Sequence, residues 1–87
     1  MLKDVVAAEP LEGYQIKVRF DDGVEGVIHL DRLVHFRGVF EPLRDLTFFR
    51  KVRADPNVGT VVWPNGADLD PDVLYSLVTP IPATPTP

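Results

Sequence analysis

Eighty-seven residues with a net charge of −4 and no cysteine fit one small domain, and they exclude a disulfide framework, a thiolate metal site and a cysteine nucleophile. The acidic balance argues against direct binding to nucleic acid or to an acidic membrane, because neutralising phosphates requires a basic face. No apolar run approaches the ~20 residues that span a bilayer, and no basic segment leads into an apolar one, so a cytoplasmic chain is expected.

Residues 2–8 read as an irregular strand closed by the turn signal Glu9-Pro10-Leu11-Glu12-Gly13, and this strand is expected to join the next two as a third antiparallel member. From Tyr14 to Phe20 the chain alternates, with Tyr14, Ile16, Val18 and Phe20 on one side and Gln15, Lys17 and Arg19 on the other, which is the pattern of a half-buried strand. The partner strand, residues 24–30, is set in register by keeping its buried face apolar. A two-residue turn at Asp22-Gly23 would put Phe20 opposite Glu25 and Ile16 opposite His29. A three-residue loop, Asp21-Asp22-Gly23, with Gly23 left-handed in a bulge, pairs Ile16 with Ile28, Val18 with Gly26 and Arg19 with Glu25. The three-residue loop is therefore expected.

Asp31 is placed to cap a short helix over residues 32–37 that Gly38 would end. In the run from Val39 to Phe49, Pro42 suits a first helical position, and Phe40, Leu43, Leu46 and Phe49 recur every third residue, predicting one or two irregular helical turns over the sheet. Residues 50–54 and 60–63 read as a second short hairpin around Asp55-Pro56-Asn57-Val58-Gly59. The fold class expected is α+β, a small antiparallel sheet of about five short strands in two hairpin groups, covered by short helices and closed by a C-terminal helix. The domain is expected over residues 1–78, with residues 79–87 as a Pro-rich flexible tail whose prolines leave few backbone donors.

The densest stretch runs from Thr60 to Val78. Trp63 precedes a proline and so stays extended, and Pro64-Asn65-Gly66 supplies a turn. Asp70 is a good N-cap, Pro71 belongs at the first helical position, and Asp72 in the first turn complements the helix dipole. Leu69 and Leu74 can pack together as a hydrophobic staple. Val73, Leu74, Leu77 and Val78 make one apolar face. A calcium loop starting at Asp68 would need glycine at its sixth position and glutamate at its twelfth, about 12 residues in all. Val73 and Thr79 stand there instead, so no metal and no cofactor are expected.

The run Trp63-Pro64-Asn65-Gly66-Ala67-Asp68, followed by Pro71 and Leu74-Tyr75, resembles the C-terminal signature of the prokaryotic family known as domain of unknown function 2442. Phe20-Asp21-Asp22-Gly23 is similar to that family's first hairpin, and Phe40-Glu41-Pro42-Leu43 with Phe49 to its middle. The similarity spans residues 2–77. It implies an α+β domain of unassigned biochemistry. Some relatives carry a following helix-turn-helix domain, and others look like one half of a two-gene system of the toxin–antitoxin kind.

Few other residues suggest chemistry. His29 falls on the outer face of the first hairpin and His35 on the short helix, and both are expected to be partly exposed polar residues. Ser76, the sole serine, lacks the Gly-x-Ser-x-Gly turn of a hydrolase nucleophile. Arg50, Lys51 and Arg53 form the one basic cluster, in which Lys51 and Arg53 would share a strand face, either as a solvated edge or as a docking site for an acidic partner. Tyr14, Trp63 and Tyr75 are expected in the core, yet Trp63 beside its polar turn is also a candidate contact.

The expected function is a non-enzymatic protein-interaction or regulatory module of a bacterial cytoplasmic system, antitoxin-like in kind. Its partner-binding candidates are Trp63, Asn65, Asp68, Arg50 and Arg53. Expected partners are a protein, and a second copy through an open edge strand, with no direct nucleic acid and no membrane. The alternative is a small ligand- or metal-binding or catalytic domain using Asp68, Asp70 and a histidine.

Overall fold

Alternation dictates the first sheet. In the computed structural model, which describes residues 4–78, β2 (Gln15–Phe20) buries Ile16, Val18 and Phe20 and leaves Lys17 and Arg19 exposed. β3 (Glu25–His29) pairs with it antiparallel, with Ile16 opposite Ile28, Val18 opposite Gly26 and Arg19 opposite Glu25. This is the register of the three-residue loop. Gly23 has φ 90°, a conformation that costs glycine nothing, and the Phe20 N–H donates to Val24 O at 2.8 Å. Asp22 Oδ1 accepts the Val24 N–H at 3.0 Å and fixes the loop.

β1 (Val5–Pro10) lies on the other side of β2, giving the order β1-β2-β3. It reaches two residues further than the expected 2–8 strand, and the start of that expectation lies outside the described residues, as does the expected tail 79–87. A bulge between Val5 and Ala7 turns Val6 out to solvent. Pro10 is tolerated at the end of this strand because it removes only a donor that β1 does not need there.

The segment after β3 departs from expectation. Helix α1 (Leu30–Leu33) begins two residues before the expected 32–37 helix and has no side-chain cap; Asp31 sits in its first turn. The Leu30 N–H is held by Tyr14 O at 2.9 Å and its side chain is buried, so the helix starts where the sheet ends. Val34 is then extended and the chain bends at Phe36, where the Arg37 N–H donates to His35 O at 2.8 Å, and both side chains are half-buried against the core. That tertiary packing overrides the local helix signal. Gly38, with φ 57°, opens a 3-10 helix (Gly38–Arg44) instead of ending the previous one. Short α2 (Leu46–Phe49) follows, its first turn capped by Asp45, whose Oδ1 accepts the Thr47 N–H at 2.9 Å. Of the every-third-residue set, Leu43 and Phe49 are buried, Phe40 is half-buried and Leu46 is exposed.

β4 (Arg53–Asp55) and β5 (Thr60–Val62) form the second hairpin. It is shorter than expected, because Arg50 and Lys51 belong to the turn that leaves α2. The hairpin docks beside β1: the Val5 N–H donates to Gly59 O at 2.9 Å. Trp63 to Ala67 then reverses the chain, with Gly66 at φ 91° and the Trp63 N–H on Ala67 O at 2.9 Å. This return places Asp68 beside Val62 in a further antiparallel bridge. Helix α3 (Pro71–Val78) closes the fold.

α3 carries two apolar stripes rather than the single face expected. Leu74 is buried and Val78 meets Gly26 of β3, where a Cβ on residue 26 would lie 2.8 Å from the Val78 Cβ. Val73 and Leu77, one turn apart on the helix, stay in solvent, 41% and 54% exposed. The core is a single cluster drawn from both sheets, the three α-helices and the 3-10 helix, with Phe20, Ile16, Leu30, Leu43, Phe49 and Leu74 among its fully buried members. Among the described residues, no helix is long and apolar enough to cross a membrane.

Candidate interaction surfaces

Trp63 follows β5 and points inward. It is 2% exposed, its Nε1–H donates to Phe49 O at 2.9 Å, and its ring lies 6.2 Å from that of Phe49. Phe49 in turn meets Tyr14 edge-on at 5.5 Å, and Tyr14 lies 4.9 Å from Phe36. An indole so enclosed cannot touch a partner of the folded domain: the expectation of core packing holds for Trp63, and its place among the contact candidates is corrected. The polar turn beside it suggested exposure, whereas the buried Phe49 carbonyl gives the indole N–H the partner it needs inside.

The other candidates are exposed, and Asn65, Arg50 and Arg53 already make contacts within the chain. The Asn65 side chain bridges two segments, accepting the Ala67 N–H at 3.2 Å and donating from Nδ2 to Val39 O at 2.9 Å. Arg50 Nη1 donates to Leu11 O at 3.3 Å, and Arg53 Nη2 lies 3.5 Å from Asp55 Oδ2. Arg53 and Asp68 flank Val62 in one cross-strand row, about 10 Å apart by strand spacing. The structure thus brings Arg53 and Asp68 onto one small sheet and holds Arg50 and Asn65 to other segments.

Asp70 starts α3. Its Oδ1 accepts the Asp72 N–H at 2.9 Å, its carbonyl accepts the Leu74 N–H at 3.1 Å, and Pro71 is the first helical residue. Leu69 and Leu74 are both buried, as the staple requires. Asp70 therefore satisfies helix donors that would otherwise lack partners. Among the described residues no group of three or more His, Asp and Glu side chains is placed to hold a metal ion. His29 sits half-buried on β3, and His35 is exposed in the stretch after α1, not on the helix expected to carry it.

Tyr75 ties α3 to the first hairpin loop. Its hydroxyl donates to Asp22 Oδ2 at 2.6 Å, and its ring meets Phe20 edge-on at 5.0 Å. The hydrogen bond to Asp22, then burial and the negative charges of Asp22 and Asp21, push the phenol above its ordinary value. A raised value in the folded state means stability that is fully present below the unfolded phenol value of about 10 and lost as pH rises through the folded one. Absorbance titration of wild type against Tyr75→Phe should show this phenol ionising late, and Asp22→Asn should bring it back toward the ordinary value. Coincident Tyr75 titrations with and without the Asp22 carboxylate would show that the contact is absent in solution.

A surface that no single residue type announces lies at β3. Hydrogen-bonded and non-hydrogen-bonded pairs alternate in an antiparallel ladder. The bonds from Phe20 N–H to Val24 O and from Leu30 N–H to Tyr14 O put the even-numbered residues of β3 on the β2 side, so Glu25, Val27 and His29 direct their backbone groups away from the sheet. Among the described residues no strand pairs with that edge. Val27 is 42% exposed, and with Arg32, Leu33 and Leu77 it lines a shallow groove of about 190 Å³ along the edge. Period-two alternation marks Val27 only as an outward-facing residue; its significance comes from the edge position, which depends on where the second hairpin docks.

No curated protein and no solved structure matches the chain. The family model described as "Protein of unknown function (DUF2442)" matches residues 5–80, a span that contains both hairpins, the Trp63 turn and the Asp70-capped helix. The chain belongs to this DUF2442 family.

Proposed function

We propose that this domain is a non-enzymatic protein-interaction module of a bacterial cytoplasmic system, regulatory and antitoxin-like in kind, and that its contact surface is the open edge of β3. The observation that carries the reading is the backbone of Glu25 and Val27 and the N–H of His29, which face no paired strand among the described residues, beside the exposed side chains of Val27 and Leu77 in one groove. An edge of this kind offers main-chain hydrogen bonds for an added strand, and the flanking apolar side chains supply the area that makes such an addition stable. Exposed Arg53 and Asp68 share the small sheet of the second hairpin, and Arg50 and Asn65 are held to Leu11 and Val39, so none of the four lines the groove at this edge. The net charge of −4 favours a protein partner over direct contact with nucleic acid.

Capture from the native host at modest salt tests the reading. Immobilised wild type should retain a specific protein that Val27→Lys, folded by circular dichroism, does not. Retention of the same proteins by both forms, or of none by wild type, would overturn it.

A further inference from the structure

The two edges of the first sheet are treated differently. β1 carries a bulge at Val5/Ala7, ends in Pro10 and is flanked by the second hairpin through the Val5–Gly59 hydrogen bond, which are the devices that stop a sheet from growing. β3 has no bulge and no proline, and its sequence is Glu-Gly-Val-Ile-His. That sequence is complementary to itself when run antiparallel. With Val27 at the centre, Glu25 of one copy meets His29 of the other, whereas a parallel arrangement would set Glu25 against Glu25.

We propose that the partner on this edge is a second copy of the chain, paired antiparallel through β3 about a two-fold axis at Val27. This inference rests on the reading of the β3 edge as the contact surface. The backbone phase fits: residues 25, 27 and 29 face outward, so the two Val27 residues would exchange their N–H and C=O groups, and each His29 N–H would donate to the Glu25 carbonyl of the other copy. The His29 carbonyl is already engaged at the start of α1, where His29 is the N-cap, the position whose carbonyl accepts the first helical bond. The side-chain ends are complementary as well. Glu25 stands at the start of β3, and His29, with Arg32 beside it in the groove, stands at the end. An imidazole donates an N–H in either protonation state, so the pair does not depend on a particular charge. A two-fold contact uses one patch twice, as this one does.

α3 supplies the rest of the surface. Because Val78 packs on Gly26, α3 lies on the buried face of β3, next to the edge. Joining two β3 strands sets the two α3 helices on the same face of a continuous sheet, with the Val73–Leu77 stripes beside the axis. Those side chains, exposed in one copy, would then be covered by the second.

The test uses the full chain in sedimentation equilibrium from micromolar to millimolar concentration. Wild type should form a dimer. Glu25→Lys, which removes the carboxylate that accepts from His29 and sets a lysine near Arg32, and His29→Glu, which sets glutamate against Glu25, should each weaken self-association about tenfold or more. An equimolar mixture of the two variants should restore the dimer, because the introduced lysine then meets the introduced glutamate while the native His29 of one copy meets the native Glu25 of the other. The exposed Lys17–Glu25 ion pair, 3.3 Å, that Glu25→Lys removes is worth little to the fold, and near-ultraviolet circular dichroism of Trp63 confirms folding. Val27→Lys should be monomeric. A dimer that survives Val27→Lys, or variants that fail to complement on mixing, would overturn this arrangement. A wild type monomeric at every concentration would overturn the second copy as occupant; if it still captures a host protein that Val27→Lys loses, the edge reading stands with a different partner.

Discussion

Trp63→Ala is expected to destabilise the domain by about 3–5 kcal/mol, the range for removing a large aromatic from a packed core. A domain of this size has a total stability of about 5–10 kcal/mol, so the variant should be largely unfolded at moderate urea or on mild heating. Two losses combine. The indole fills the space between Phe49 and the second hairpin, and its N–H is the partner of the Phe49 carbonyl at 2.9 Å. Trp63→Phe separates them, because it keeps much of the packing and removes the indole donor while the Phe49 carbonyl still accepts the Val52 N–H at 3.2 Å, for an expected cost of about 0.5–1.5 kcal/mol. Urea unfolding followed by far-ultraviolet circular dichroism measures both. A loss below about 1 kcal/mol in Trp63→Ala would mean that the indole is not held in the core.

Gly59→Val should cost about 3 kcal/mol, because residue 59 holds a conformation that β-branched residues avoid and a side chain there must also displace the Asp4 carboxylate. Its φ is 82°, and a Cβ there would lie 2.7 Å from Asp4 Oδ1. The same residue accepts the Val5 N–H that joins the hairpin to β1, so strain at Gly59 acts on the seam between the two sheets. Gly13 is the control. At φ 62° it has nothing near a would-be Cβ, so Gly13→Ala reports the backbone cost alone, about 1–2 kcal/mol. Gly59→Ala should exceed it, and adding Asp4→Ala should remove the excess. Equal melting temperatures for the Gly13→Ala and Gly59→Ala variants would show that Asp4 does not lie over Gly59 in solution.

What the sequence made legible follows from the range of the forces involved. The first hairpin and the start of α3 are local problems: a period of two, one glycine in a loop, an aspartate followed by proline. Their register and cap could be read directly, and so could the α+β class. α1 could not, because its start is set by Leu30 bonding to Tyr14, a contact made only after the sheet forms. Trp63 misleads for a related reason. A residue with an apolar body and a polar tip suits a core and a contact surface equally until the partner of its N–H is known. The β3 edge was foreseen only as an open strand somewhere in a three-plus-two layout. Which strand stays open is decided by the second hairpin docking on β1, and no pattern within β3 records that choice. Val27 and Leu77 therefore gave no signal of their own, since single exposed apolar residues are common on any surface.

The close approach of Val78 to Gly26 has a practical consequence for anyone who labels this protein. Residue 78 lies on the β3 side, whereas residue 4 sits by Gly59 on the β1 side, about 10 Å away across the strands. A fluorophore on a cysteine introduced at residue 77 would sit in the groove, and one introduced at residue 4 would not. Moving a reporter between these two positions is thus a choice between blocking that surface and leaving it open.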